Sequence, residues 1–314
     1  MGKLLLTGVD GNLGKIAAET LLTLEPKENL IFCGYSEASL KKYAEMGIET
    51  HQTNFNNPEG LAEAFKNADV LALISMPFVG VKRQNAHKNC VDAAKAAGVK
   101  QIVYTSLVNA ADETNPSVEK KDHIYTERYI ESQGLDYQFM RNSQYAEAMI
   151  TNYFTYARMG APLTNSQGDG LMAYISRVDC AKAVAYALHR SNEFHHKVWN
   201  INGLELMTIS TFCAIGDVST GNHVPFVNVT DEENYQIWDA MGVPRTTDGV
   251  FLKDSEAPFS SDGMVTFAQA IREGKMDLCT KDYEALTGMK PISVKYMFDH
   301  NQEYQIGERH SQDK

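Results

Sequence analysis

The stretch KLLLTGVDGNLGKIAAETLL, residues 3–22, decides the fold. Leu4, Leu5 and Leu6 form a short apolar run that predicts a strand buried on both faces. Downstream, Leu13, Ile16, Ala17, Leu21 and Leu24 recur at three- and four-residue steps, the period of a helix with one apolar face against that strand. Gly8, Gly11 and Gly14 lie in the loop between them. The first amides of a helix lack intrahelical partners and point into such a loop, where they and the helix dipole favour an anion. A Cβ at Gly8 or Gly11 would obstruct the turn or the approach of a phosphate, and one at Gly14 would push the helix off the sheet. The spacing G-x-x-G-x-x-G is a variant of the fingerprint G-x-G-x-x-G, and its place between a first strand and a first helix points to a nucleotide site rather than a plain turn.

The chain has 314 residues, enough for one large domain or a domain with a smaller lobe. Asp and Glu outnumber Lys and Arg by 40 to 29, a formal charge of −11 without any basic cluster, which argues against nucleic acid or an anionic membrane as a direct partner. The longest apolar stretch, VLALISMPFVGV at residues 70–81, is broken by Pro77 and falls short of the roughly 20 residues a membrane span needs. Cys33, Cys90, Cys180, Cys213 and Cys279 are scattered with no C-x-x-C pair, as expected of buried thiols in a reducing compartment. With an apolar strand starting at residue 4, no signal peptide is expected, and the reading is a soluble cytoplasmic protein.

Short β-type runs alternate with helical patterns through the first two hundred residues. LLLT, LIFC, IETH, VLALIS, IVYTS, YQFMRN and VWNIN are the strand candidates, and NPEGLAEAF, QNAHKNCVDAAKAAG and EKKDHIYTERYIESQG the helices between them, the last two stopping at Gly98 and Gly134. Such alternation predicts an α/β fold with a parallel sheet wrapped by helices. Beyond residue 203 the pattern is less regular. TISTFCAIGDVSTG, DEENYQIWDAMG, GMVTFAQAIREG and CTKDYEALTG predict helices, and DGVFLKDSEAPFSSDG predicts a long acidic loop. The acidic start of DEEN complements a helix dipole.

These residues resemble the NmrA-like branch of the atypical short-chain dehydrogenase/reductases, particularly its quinone-reductase and triphenylmethane-reductase-like members. The resemblance rests on TGVDGNLG, AAKAAGVKQIVYTSLVNA, DHIYTERYIESQGLDYQFMRNSQY, RVDCAKAVAYAL and YEALTGMKP, in that order along nearly the whole chain. It implies a Rossmann-type doubly wound parallel sheet with a smaller, mostly C-terminal α+β substrate lobe. Residues 1–145 and about 178–203 would form the NAD(P)-binding domain, and about 146–177 with 204–314 the lobe. The resemblance also implies a nicotinamide cofactor across the carboxyl ends of the strands, where open α/β sheets bind ligands in any case. Gly8, Gly11, Asn12, Leu13 and Gly14 would hold the pyrophosphate, and Asn54 and Phe55 would lie near the adenine. Ser75, Met76 and Pro77, then Tyr104, Thr105 and Ser106, then Asn142 to Tyr145, would line the path to the nicotinamide.

One departure from the relatives bears on the choice of cofactor. NADPH-using relatives usually place an arginine after the second strand, often with a lysine four residues on; here Tyr35 and Ser39 stand there, with Ser36 beside them. Asp10 replaces a common threonine in the glycine loop, and its carboxylate would repel a 2′-phosphate yet accept a ribose hydroxyl. The expected cofactor is therefore NAD(H) or NADP(H), with NAD(H) favoured by charge. Lys15, Lys41 and Lys42 stand against that preference.

Most short-chain dehydrogenases protonate the product with a Tyr-x-x-x-Lys pair. No tyrosine here has a lysine four residues later. In the isoflavone-reductase-like cousins a catalytic lysine occupies the position of His123. An imidazole titrating near ~6.5 could donate a proton or hydrogen-bond the nicotinamide ribose, and the alternative is a helix-surface histidine paired with Glu127. Further ligands for a metal at this pair are not recognisable. Tyr145, at the end of the sixth strand, is the second catalytic candidate, with Tyr125 weighed beside it; Arg141 reads as structural and Asn142 as a cofactor contact. His195 and His196 read as solvent-facing with no acid partner in sequence reach. Met149, Phe154, Met159, Met172, Trp238 and Met241 offer an adaptable apolar pocket or else plain core.

The leading expectation is an NAD(P)H-dependent reductase passing hydride to a quinone, carbonyl or conjugated enone in a small apolar or aromatic compound, with a homodimer possible. Its rival is a dinucleotide-binding redox sensor without turnover, which the missing Tyr-Lys pair fits equally well.

Overall fold

The computed structural model describes residues 2–246 and 259–306. In chain order the first half runs β1 (Lys3–Leu6), α1 (Asn12–Leu24), β2 (Leu30–Gly34), α2 (Glu37–Glu45), β3 (Glu49–Gln52), α3 (Leu61–Ala64), β4 (Ala68–Leu73), α4 (Val81–Ala97), β5 (Gln101–Leu107), α5 (Lys120–Ser132) and β6 (Asp136–Asn142). It continues with α6 (Ala146–Met159), β7 (Leu163–Asn165), α7 (Arg177–His189), β8 (Lys197–Ile201), α8 (Ile209–Thr220), β9 (Phe226–Asn228), α9 (Asp231–Ala240), α10 (Ser261–Arg272), α11 (Asp282–Thr287) and α12 (Val294–Asp299).

Seven strands form one sheet in the order β3-β2-β1-β4-β5-β6-β8. Every neighbouring pair in it is parallel. The order reverses between β1 and β4, so the chain winds outward in both directions from that point, the Rossmann-type arrangement. All seven runs singled out in the sequence are its strands. Their apolar continuity has a simple cause, since helices cover both faces. Along β1, Leu4 and Leu6 face one core with Phe32, Ala17 and Leu21, while Leu5 faces the other with Ile31, Cys33 and Phe65.

A third apolar cluster lies apart from these two. Met149, Ile150 and Tyr153 of α6 meet Phe212 of α8 and Phe298 of α12 there, and β7 pairs with β9 in a separate two-stranded sheet. The acidic start predicted at DEEN heads α9, where Thr230 and Glu233 form a capping box. The loop read at DGVFLKDSEAPFSSDG lies largely outside the described residues.

At the carboxyl ends of the strands, one buried ion pair ties β5, α5 and β6 together. Arg141 donates from Nε to Glu127 Oε1 at 2.9 Å and from a terminal nitrogen to Oε2 at 2.6 Å, and Ser106 donates to the same Oε1 at 2.6 Å. Arg141 is thus structural, as its place in the sequence suggested. Substituting Arg141→Met strands the Glu127 carboxylate, whose side chain is 3% exposed. The expected loss is about 3–5 kcal/mol in urea unfolding, and a loss under about 1 kcal/mol would show that the pair contributes no more than an exposed one.

Candidate active site

The glycine loop has the geometry its spacing predicted. Gly8 adopts φ +66°, and a Cβ placed on Gly14 would sit 2.0 Å from the Gly8 carbonyl oxygen, so α1 can start only where it does if residue 14 lacks a side chain. Gly11 caps α1 with no side chain bonding the first turn, and no acidic residue lies in that turn. Among the described residues the amides of Asn12, Leu13 and Gly14 therefore have no protein partner. Three convergent N–H groups at the positive end of a 13-residue helix form a cradle for one phosphate-sized anion.

Beside the cradle, Asp10 accepts from the Tyr35 amide at 2.8 Å and the Ser36 amide at 2.9 Å, both through Oδ2. The loop after β2 is thereby latched to the glycine loop. Its other oxygen, Oδ1, has no protein partner among the described residues and lies 3.1 Å from where a Cβ on Gly34 would stand. Tyr35 is 47% exposed, and Ser36 caps α2. Lys41 pairs with Glu45, and Lys42 lies over the Tyr43 ring at 4.4 Å. Asn54 is exposed and accepts from the Asn56 amide; Phe55 is core, edge-on to Phe65. The Phe55 carbonyl accepts from Asn89 at 2.9 Å.

The loop after β4, residues 74–80, is held by side chains from four elements. Ile74 donates to Thr7 Oγ1 at 3.2 Å, Ser75 to Thr105 Oγ1 at 2.7 Å and Met76 to His87 Nε2 at 3.1 Å. Gly80 donates to Asp122 Oδ2 at 2.6 Å, and the Arg83 Nε donates to the carbonyls of Met76 and Phe78. Since Met76 donates to Nε2 of His87, the His87 proton sits on Nδ1 and is given to Thr126 Oγ1 at 2.9 Å. Burial and the Arg83 charge push His87 down to about 3, so its ring is neutral.

The side chains of the tyrosine, threonine and serine of YTS all bond within this scaffold. Tyr104 is fully buried and meets His123 Nδ1 at 2.9 Å, Thr105 holds the Ser75 amide, and Ser106 bonds Glu127. Buried and without a hydrogen-bond partner are Ser75 Oγ at the end of β4 and Asn142 Oδ1 at the end of β6. Orphaned polar atoms at strand ends fit a polar ligand laid across them. The Asn142 amide donates to the Tyr145 hydroxyl oxygen at 3.2 Å, leaving the Tyr145 proton free to donate. Burial raises Tyr145 well above the usual tyrosine range and keeps that proton on.

His123 requires two corrections. It is not a surface residue paired with Glu127, because Glu127 is held by Arg141 and Ser106. Nor does it titrate near neutrality: burial first, then the charge of Arg83 and the neighbouring His87, hold it well below the usual histidine range. His195 also acquires an acid partner, Asp136 at 2.5 Å, although it stays exposed as expected. Tyr125 stacks on Tyr129 along the outer side of α5. The apolar residues proposed as one pocket are dispersed: Met149 and Met172 are core, while Met159 and Met241 are exposed at 63% and 59%. Sequence reasoning passed over Arg83, His87, Asp122 and Thr126. Their signal was the four-residue spacing within each pair, which puts each pair on one face of α4 or α5.

The profile of the NmrA-like family matches residues 2–256. The chain belongs to the NmrA-like family. Quinone oxidoreductase 2 of Escherichia coli is 30% identical over 261 residues, covering 82% of this chain and 88% of that protein. The crystal structure of the Escherichia coli NADPH-dependent quinone oxidoreductase QOR2 complexed with NADPH superposes with a TM-score of 0.84 at 27% identity, over 95% of this chain and 99% of that one. Citrobacter triphenylmethane reductase complexed with NADP(H) shares the fold, with a TM-score of 0.80 at 24% identity over 95% and 99% of the two chains. Among the described residues no helix is long and apolar enough to cross a membrane.

The neutral His87 makes stability depend on pH with a defined sign. The unfolded chain takes up this proton near 6.5 and the native one only near 3, so the contribution is complete above 6.5 and is lost as pH falls toward 3. His123 acts in the same direction, whereas the buried carboxyls of Glu119, Glu147 and Asp179, raised by burial, act in the opposite one. Comparing His87→Gln with wild type isolates the His87 share. Urea unfolding between pH 7 and 4 is expected to show a pH slope shallower by about one proton in the variant, and identical slopes would exclude a neutral His87.

Proposed function

We propose that the chain is an NAD(P)H-dependent reductase that passes a hydride to a quinone-like acceptor and prefers NADH. What carries the cofactor reading is the set of three unpaired amides at Asn12, Leu13 and Gly14, a cradle that any Cβ on Gly14 would abolish. The orphaned Ser75 Oγ and Asn142 Oδ1 at the far end of the same crevice fit the amide and ribose of a nicotinamide nucleoside. When bound, the dinucleotide supplies the hydride. Tyr145, oriented by Asn142 and held protonated by burial, is the group placed to donate a hydrogen bond to the acceptor oxygen. His123 contributes as a neutral ring that orders Tyr104 and not as a proton source.

A quinone suits such a site, because its reduced anion is delocalised and needs no strong acid at the moment of transfer. The kinship with Escherichia coli quinone oxidoreductase 2 supports the same acceptor class. In this reading residues 1–145 and about 178–203 bind the cofactor, and the lobe of 146–177 and the chain from 204 onward, with its own apolar cluster, covers the acceptor.

The preference for NADH rests on Asp10. Its Oδ2 already occupies the two amides after β2, and its free Oδ1 is suited to accept from a ribose 2′-hydroxyl; a 2′-phosphate there would meet a carboxylate and no arginine. Titrating both cofactors is expected to show NADH bound about tenfold or more tighter, and Asp10→Thr with Tyr35→Arg is expected to reverse the order. Strong NADPH preference in wild type would sink the charge argument. Turnover of benzoquinones and naphthoquinones, lost in Tyr145→Phe with NADH affinity kept, supports the reductase; tight NADH binding with no acceptor turned over would show a sensor instead.

A further inference from the structure

Arg83 is 7% exposed and stands where α4, α5 and the loop after β4 converge. Its Nε holds the carbonyls of Met76 and Phe78, while a terminal nitrogen lies 3.6 Å from Asp122 Oδ2, 3.9 Å from Glu119 Oε2 and 3.5 Å from His123 Nε2. A guanidinium never accepts, so His123 Nε2 is the acceptor and the ring proton lies on Nδ1. Nδ1 then donates to the Tyr104 oxygen at 2.9 Å. The Tyr104 ring lies edge-on to the His87 ring, with centroids 5.5 Å apart. Thr126 already receives the His87 proton and gives its own to the Asp122 carbonyl at 2.9 Å. Ser75 Oγ, in contrast, is buried without a partner.

We propose that Arg83 is a positioning residue for the acceptor site, pinning the loop that carries Ser75 through the Met76 and Phe78 carbonyls and polarising a hydrogen-bond chain through His123 to the Tyr104 hydroxyl. Both donors in the chain point one way: Arg83 to His123 and His123 to Tyr104. Aligned donors strengthen one another in a low-dielectric interior, and the cation at the origin strengthens the last donor most. The chain moves no proton of its own; it orients one hydroxyl. This inference rests on the reductase reading for its consequence in turnover, but not for its structural content.

The groups that act on His123 are Arg83 and His87 from α4 and Tyr104 from β5, while Asp122 of α5 and Glu119 just before it lie against Arg83. Removing the cation alone therefore alters the His123 titration, which 1H–15N spectra follow in the cofactor-free protein. In Arg83→Met the His123 titration is expected to rise toward the ordinary histidine range. With a naphthoquinone acceptor, kcat should fall about 10²-fold while the NADH dissociation constant stays within about threefold. Arg83→Lys keeps the charge and loses the fork, so it should leave His123 neutral and restore part of kcat. Tyr104→Phe cuts the chain with Arg83 and the loop retained, and should lower kcat with no change in NADH affinity, even if Arg83→Met fails to fold. A fall in melting temperature with kcat and the His123 titration unmoved would reduce Arg83 to a purely structural role and overturn the proposal. Should wild type turn over no acceptor, the reductase reading falls, while the titration in Arg83→Met still upholds or rejects the hydrogen-bond chain.

Discussion

The close approach of α1 to the glycine loop, at Gly14 and Gly8, is the constraint from which the rest follows. With a Cβ position 2.0 Å from the Gly8 carbonyl, any residue larger than glycine would lift the helix start and scatter the three unpaired amides. The seven parallel strands bring their carboxyl ends to this same edge, so every loop that could touch a bound dinucleotide is referenced to that contact. The amides are unpaired by the geometry of a helix end, not by any side chain, and they must find an anion or water.

The two ends of the crevice are stiffened by different chemistry. At one end, which the proposed reading gives to the adenosine, a single carboxylate, Asp10, joins the glycine loop to the loop after β2 through two amides. At the other end, which the proposed reading gives to the nicotinamide, the loop after β4 is held by side chains of Thr7 just past β1, Thr105 of β5, His87 of α4 and Asp122 in the first turn of α5. Ligand sites gain precision when rotamers are locked by such outer partners, and the orphaned atoms at Ser75 and Asn142 are then fixed in place without a ligand.

The parallel sheet was legible because strands buried on both faces must be apolar throughout, which made LIFC and VLALIS stand out; the glycine loop was legible because only one residue type fits it. Arg141 could be read as structural because it precedes a loop in a strand end. What was hidden depends on contacts between helices. Nothing in the sequence near His123 shows its burial or the Arg83 charge forty residues earlier, so the sequence alone assigns the imidazole its ordinary titration. The spread of the methionines was equally hidden, because an amphipathic pattern tells which face is apolar but not whether a cleft or a neighbour covers it. His195 gained Asp136 for the same reason, through the pairing of β6 beside β8.

Around the acceptor end the titratable groups are driven toward neutrality by burial: His87 and His123 hold no proton charge, Tyr104 and Tyr145 keep their hydroxyl protons, and Glu119 is raised. Arg83 is the cation that cannot follow them, and Asp122 lies against it. A site made this way is a poor acid and a well-ordered set of hydrogen-bond donors. Ketone reduction creates a localised alkoxide that needs a proton from a matched acid during hydride transfer, and no group here has that affinity. Quinone reduction spreads the same charge over a ring and two oxygens, for which fixed neutral donors suffice. If the acceptor is the quinone proposed above, the absence of a Tyr-x-x-x-Lys pair follows from it, and the buried neutral histidines are the corresponding feature of the protein.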